Sequence, residues 1–238
     1  MKIIVDDGFL FGAGVFETIK VEDGRAIFCE EHLRRLQKSL DFFDISQKIS
    51  VKEIQAYLAT QKEKNFALKI VVSARNILYL KRENPYLHQE KDRGVRLCFS
   101  KVLRNSSSAM VYHKTTQYYE NLLEKKKAKQ RQYDEVVFWN ERGELAEGAV
   151  SNLFFLKGDQ LYTPPVSCGL LPGIMRGKIM EYYPVEEKRI LPEDLLDFDA
   201  CFLTNSLMGV LWVREVEGIF YQKTKKIEKI LAEQEAWK

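Results

Sequence analysis

Four hairpin signals limit what this chain can fold into. "EDG" interrupts "GVFETIKVEDGRAIF" (14–28), and "NERGE" interrupts "YDEVVFWNERGELAEG" (133–148). "KGDQ" splits "AVSNLFFLKGDQLYTP" (149–164), and "TNS" splits "ACFLTNSLMGVLWVREVEG" (200–218). Each is a turn between two strand-like runs, so it predicts locally paired, antiparallel strands. "FALKIVVSARNILYLKR" (66–82) and "GVRLCFSKVLR" (94–104) also read as strands. Helical segments lie between them. "CEEHLRRLQKSLDFF" (29–43) places Leu33, Leu36, Leu40 and Phe43 at helical spacing. Further helices are predicted at 51–64, 118–131, after Pro172-Gly173, at 191–199 and at 224–238. This is mixed α+β order with many hairpins, not the βαβ alternation of a doubly wound sheet. The small polar stretch "NSSSAM" (105–110) predicts a linker between a small domain, 1–104, and a larger one, 111–238.

Composition removes several functions. The 37 basic and 34 acidic side chains leave a formal charge of +3, without the one-sided excess of a nucleic-acid protein. "EKKKAKQR" (124–131), flanked by Leu122 and Leu123, reads as the outer face of a helix. Cys29, Cys98, Cys168 and Cys201 are far apart, form no CxxC pair and do not cluster with His32, His88 or His113. Neither a disulfide scaffold nor a metal site is expected, and reduced thiols in a cytoplasmic protein are. The N-terminal "MKIIVDDGFLFGAGVF" turns acidic too soon for a signal peptide. No run reaches the roughly 18 apolar residues of a membrane span.

Lys114 stands out in "VYHKTTQYYE" (111–120), near the end of a stretch that could be a strand. It is either a strand-end lysine snorkelling to water or an amine kept as a nucleophile. A lysine nucleophile suggests a Schiff base, for which pyridoxal phosphate is the usual carbonyl partner. That cofactor needs a partner for its pyridine nitrogen and a cup of amides, hydroxyls and a cation for its phosphate. Glu147 in "ELAEGAVSN" could hold the pyridine proton, or could be a solvated turn residue. "LPGI" (171–174) offers amides at a helix start, and "TNS" (204–206) offers amides and hydroxyls. Arg34 and Arg35 are helix neighbours, so one points inward and the other outward; the phase does not say which.

The segments "FLFGAGVFETIKVEDG", "EEHLRRLQKSL", "HKTTQYY", "DEVVFWNERGELAEGAVSNLFFLKGDQLYTPP", "GLLPGIMRG" and "FLTNSLMGV" together resemble the class IV aminotransferases, the fold-type IV pyridoxal-phosphate enzymes. That group includes branched-chain and D-amino-acid aminotransferases and 4-amino-4-deoxychorismate lyases. The resemblance implies a two-domain fold with a small N-terminal domain and a larger pseudo-barrel domain. It implies pyridoxal 5'-phosphate as cofactor and a homodimer as the assembly. Lys114 matches the Schiff-base lysine, and Glu147 the carboxylate at the pyridine nitrogen. Arg35, before leucine in "HLRRL", matches the phosphate-binding arginine. Gly173, Ile174 and Met175 match the amides under the phosphate, and Ser206 a hydroxyl there. Tyr118 resembles the tyrosine beside the cofactor's phenolic oxygen, and Asn152 closes the "EGAVSN" motif.

There are departures. The resemblance begins at "DDGFLFGAG", where Asp7 and Ala13 replace an arginine and an aspartate, so the family's first strand is expected to be absent. Met175 stands where threonine is common, and Trp212 where proline is frequent. "VSARNILYLKREN" lacks the glycine-arginine loop of many of the lyases. "TNSLMGV" and "GVFETIKV" are nevertheless more similar to the lyases. The implied reaction converts a small amino substrate, 4-amino-4-deoxychorismate, to 4-aminobenzoate and pyruvate, with Lys114 carrying the proton. An amino-acid transaminase is the alternative. A non-catalytic binding protein on the same fold is disfavoured because Lys114, Glu147 and Arg35 are all retained.

Overall fold

The computed structural model describes residues 2–87 and 91–237; His88 lies outside them. It divides into two compact units, residues 1–88 with 113–119 and residues 89–112 with 120–238.

The first unit opens with α1 (Asp7–Phe11), capped by the Asp6 side chain and closed by Gly12 at φ 71°. β1 (Gly14–Glu22) turns into β2 (Arg25–Ala26) through Asp23 and Gly24, both at positive φ, the two-residue turn whose twist suits a hairpin. α2 (Cys29–Phe42) and α3 (Val51–Ala59) follow, the latter started by a reciprocal Ser50–Glu53 capping box. β3 (Phe66–Ser73) and β4 (Ile77–Arg82) complete an antiparallel sheet of order β2-β1-β3-β4. One face carries Val15, Ile19, Val21, Leu68, Ile70 and Val72. These pack on Leu36 and Leu40 of α2 and Ile54 and Leu58 of α3. Glu17 occupies the same alternating set of β1 positions and is fully buried.

The second unit contains β5 (Val95–Phe99), α4 (Tyr119–Gln130), β6 (Glu135–Trp139), β7 (Leu145–Gly148), β8 (Asn152–Lys157), β9 (Gln160–Thr163), α5 (Ile174–Tyr182), β10 (Val185–Glu187), β11 (Ala200–Asn205), β12 (Gly209–Val216), β13 (Ile219–Phe220) and α6 (Lys225–Glu233). Its sheet runs β10-β9-β8-β11-β12-β5-β6-β7, with β13 on β12. The sheet curls into a half-barrel. The hairpins β6–β7, β8–β9 and β11–β12 are those the turn signals predict. The pairs β12–β5, β5–β6 and β9–β10 are parallel. Among the described residues no helix is long and apolar enough to cross a membrane.

Four expectations are corrected. The boundary at 104 is displaced, because β5 pairs with β12 and β6 and so belongs to the second sheet. The stretch 105–110 is not a loose linker: Ser106 donates from its amide and hydroxyl to Glu141 at 3.0 and 2.6 Å, and Arg142 Nη1 donates to Ser106 Oγ. Residues 109–112 form a 3-10 turn rather than a strand end, and the chain makes a single bridge to β1, Thr115 to Val15, before α4. The buried face of α4 is also not the leucine flank. Leu122 and Leu123 are exposed while Asn121, Glu124 and Ala128 are buried. Asn121 donates to Ala149 O and Glu124 accepts from Ser100 Oγ, so polar anchors override the apolar pair.

Candidate active site

The predicted residues fall into two groups, each within one unit. Lys114, Tyr118 and Arg35 belong to the first. The Lys114 carbonyl accepts from Phe16 N at 2.8 Å, and Thr116 N donates to Gly14 O. This short pairing puts Lys114 beside Phe16. Lys114 Nζ lies 4.5 Å from the Phe16 ring centre and 5.2 Å from that of Tyr118. The two rings meet edge-on at 5.1 Å. Lys114 is thus half-buried against aromatic faces, not extended along the surface as a snorkelling lysine would be.

The helix phase is settled by Glu17. Arg34 is exposed, while Arg35 reaches inward and forks Glu17 with Nε and Nη2 at 2.7 and 2.8 Å. His32 Nδ1 lies 2.7 Å from the other side of the same carboxylate. Burial would raise the Glu17 pKa, but the Arg35 charge, with His32 adding to it, holds it well below the ordinary 4.5. Burial lowers the His32 pKa against the pull of Glu17, with Arg35 and Lys114 lowering it further. An ionised carboxylate only accepts, so Nδ1 carries the proton.

Glu147, Asn152, Gly173, Ile174, Met175 and Ser206 belong to the second unit. Glu147, the penultimate residue of β7, is almost fully buried; Oε2 accepts from Leu171 N at 3.0 Å and Oε1 lies 3.3 Å from Arg104 Nε. The Arg104 guanidinium lies over the Phe138 ring at 3.7 Å. Asn152 donates Nδ2 to Leu171 O, two residues before Gly173. Gly173 is the N-cap of α5 with no side-chain cap, leading directly to the amides of Ile174 and Met175. A Cβ on Gly173 would sit 2.0 Å from Asn152 Oδ1, so only glycine allows this approach. Thr204, opposite Asn152 across β8–β11, has a buried hydroxyl without a hydrogen-bond partner, as does Ser151. Ser206 follows in the turn organised by Asn205 Oδ1, which accepts from Leu207 N and Met208 N. Met175 is buried and brings no hydroxyl.

Taken by itself, each unit's donor set has the chemistry of part of what pyridoxal phosphate needs. The first unit offers a primary amine beside aromatic rings and an oriented guanidinium. The second offers a fixed carboxylate for a pyridinium nitrogen and a glycine-opened helix start for an anion. Sequence reasoning missed Glu17, His32 and Arg104. A signal for Glu17 existed, since it sits in the apolar alternation Val15, Ile19, Val21. A charge on that face requires a partner.

A family profile described as amino-transferase class IV matches residues 14–216. The aminodeoxychorismate lyase of Bacillus subtilis (strain 168) is 28% identical, over 91% of this chain and 82% of its own length. The D-alanine aminotransferase of Bacillus licheniformis is 27% identical, over 90% and 83%. A Legionella pneumophila crystal structure, provisionally assigned as a 4-amino-4-deoxychorismate lyase, superposes with a TM-score of 0.91. It is 25% identical, and the match covers all of this chain and 96% of that one.

Proposed function

The chain belongs to the class IV aminotransferases, which are pyridoxal-phosphate enzymes, and from that premise we propose that it is a lyase converting 4-amino-4-deoxychorismate to 4-aminobenzoate and pyruvate. The observation that carries the catalytic reading is Lys114 Nζ held against Phe16 and Tyr118. The lyase relative at 28% identity supports the substrate.

Pyridoxal phosphate, when bound, supplies an aldehyde for an amine and a ring that draws electrons from the neighbouring carbon. Lys114 would hold the cofactor through Nζ, and the same amine, once free, would serve as the base for the proton on the substrate carbon bearing nitrogen. The C–O bond to the enolpyruvyl group then breaks with its electrons on oxygen. That fragment regains one proton to leave as pyruvate, so the reaction needs no oxidant. Glu147 keeps a proton at the ring nitrogen, its own carboxylate fixed by Leu171 N and facing Arg104. On the first unit Arg35 is the proposed phosphate ligand, and on the second unit the Ile174 and Met175 amides and Ser206 would receive a phosphate. Asn152 keeps the Leu171–Gly173 turn in place for them. Tyr118 bounds the amine.

Incubation with 4-amino-4-deoxychorismate should release pyruvate and 4-aminobenzoate in equal amounts. Keto acid formed only from an amino acid and 2-oxoglutarate would instead establish a transaminase, the reading that the D-alanine aminotransferase relative favours. Glu147→Gln is expected to retain cofactor but lose about 10²–10³-fold in turnover, because a neutral amide does not hold the pyridinium proton; the factor is that of removing one charge-stabilising group. Unchanged turnover would make Glu147 a structural residue only.

The working form is a homodimer. Phe9, Leu10 and Phe11, three consecutive apolar residues of the first unit, are 67%, 57% and 72% exposed, and a second copy would cover them. Light scattering is expected to give twice the chain mass at micromolar concentration, with activity falling on dilution. A fully active species of the single-chain mass would refute this. The four free thiols suit a cytoplasmic, reducing setting.

A further inference from the structure

Glu17 is a buried charge that the chemistry above leaves without a task. Its carboxylate is fully buried, and three donors hold it: Arg35 Nε, Arg35 Nη2 and His32 Nδ1, all within 2.8 Å. Stability alone does not account for such a group, since apolar replacements of buried ion pairs are often neutral or stabilising. Orientation does. Two parallel bonds fix both the plane of a guanidinium and the rotamer of its long side chain. His32 grips Oε2 from the other side. The Arg35 side chain is still 11% exposed, so it reaches the surface of its unit in one fixed pose.

We propose that Glu17, braced by His32, is a positioning residue that locks the Arg35 guanidinium as the receptor for the cofactor's phosphate. The proposal rests on the reading of Arg35 as a phosphate ligand. Its sign separates it from simple charge attraction. Glu17 cancels the charge of Arg35, so attraction alone predicts that neutralising Glu17 tightens phosphate binding. Positioning predicts that it weakens.

The test compares pyridoxal phosphate with pyridoxal. Dissociation constants for both are measured by visible absorbance on the full-length wild type, Glu17→Gln and Glu17→Asp, with thermal unfolding of each. Wild type is expected to prefer the phosphorylated form. In Glu17→Gln that preference should fall about 10- to 100-fold, the range of one charge-assisted hydrogen bond, while pyridoxal affinity stays within about twofold. Glu17→Asp keeps the charge, withdraws it by one methylene, and should also lower the preference; it carries the test if Glu17→Gln does not fold. A purely structural role would lower melting temperature and weaken both ligands alike, which overturns the proposal. An undiminished or increased preference in a folded Glu17 variant overturns it while leaving the parent reading intact. A wild type with no preference for the phosphorylated form overturns both.

Discussion

Lys114→Ala is expected to abolish turnover and leave the fold in place. The two consequences have separate physical sources. The fold uses the Lys114 backbone, whose carbonyl accepts from Phe16 N, and alanine keeps that bond. The side chain contributes its contacts with the Phe16 and Tyr118 rings, about 0.5–2 kcal/mol each at most. In the proposed reaction Nζ would serve twice, as the group that holds the cofactor and as the base that moves the proton. Loss of a positioned base alone removes about 10²–10⁴-fold in rate, and loss of the nucleophile adds to this. Pyruvate release should therefore fall below detection, while circular dichroism melts shift by only a few degrees. Near-wild-type turnover without an added amine would show that Lys114 is not the reacting group.

Arg35→Ala is expected to cost about 3–5 kcal/mol of stability, the range for breaking a buried ion pair, and to weaken cofactor binding. Arg34→Ala should stay within about 0.5 kcal/mol, as an exposed substitution does. The asymmetry follows from Glu17, which has no exposed surface and would lose its forked partner. The pH dependence has a definite sign. The folded-state pKa of Glu17 lies below its ordinary 4.5, so its ionised form stabilises the wild type above that value. That contribution is lost as pH falls through the depressed pKa. Without Arg35, burial pushes the carboxyl upward and it protonates sooner. The stability gap between wild type and Arg35→Ala should therefore be widest near neutral pH and narrow below pH 4.5. Denaturant melts of the two arginine variants at pH 7 and pH 4 measure this, and equal melts for Arg34→Ala and Arg35→Ala would contradict the helix phase.

Local chemistry was readable without coordinates wherever one short segment decides its own shape. Asp23-Gly24 forms a hairpin turn because both residues tolerate positive φ, and Gly173 opens α5 as its spacing after Pro172 implies. Lys114 and Glu147 were singled out as candidates from the chain itself, whereas Arg35 was chosen over Arg34 only through the resemblance. Tertiary structure decided what depends on distant partners. Arg35 faces inward because Glu17, 18 residues earlier, waits on β1. Helix periodicity holds no record of that carboxylate. α4 buries Asn121 and Glu124 instead of its leucines because Ala149 and Ser100 supply the matching polar groups. β5 joins the second unit through parallel pairing with β12, 118 residues away at Val95 and Val213. Parallel partners need long connections and leave no turn between them to read. Sequence alone therefore determined the hairpins and the helix starts. Only the folded chain decided which buried charge meets which partner, since burial makes such pairing obligatory but does not name the partner.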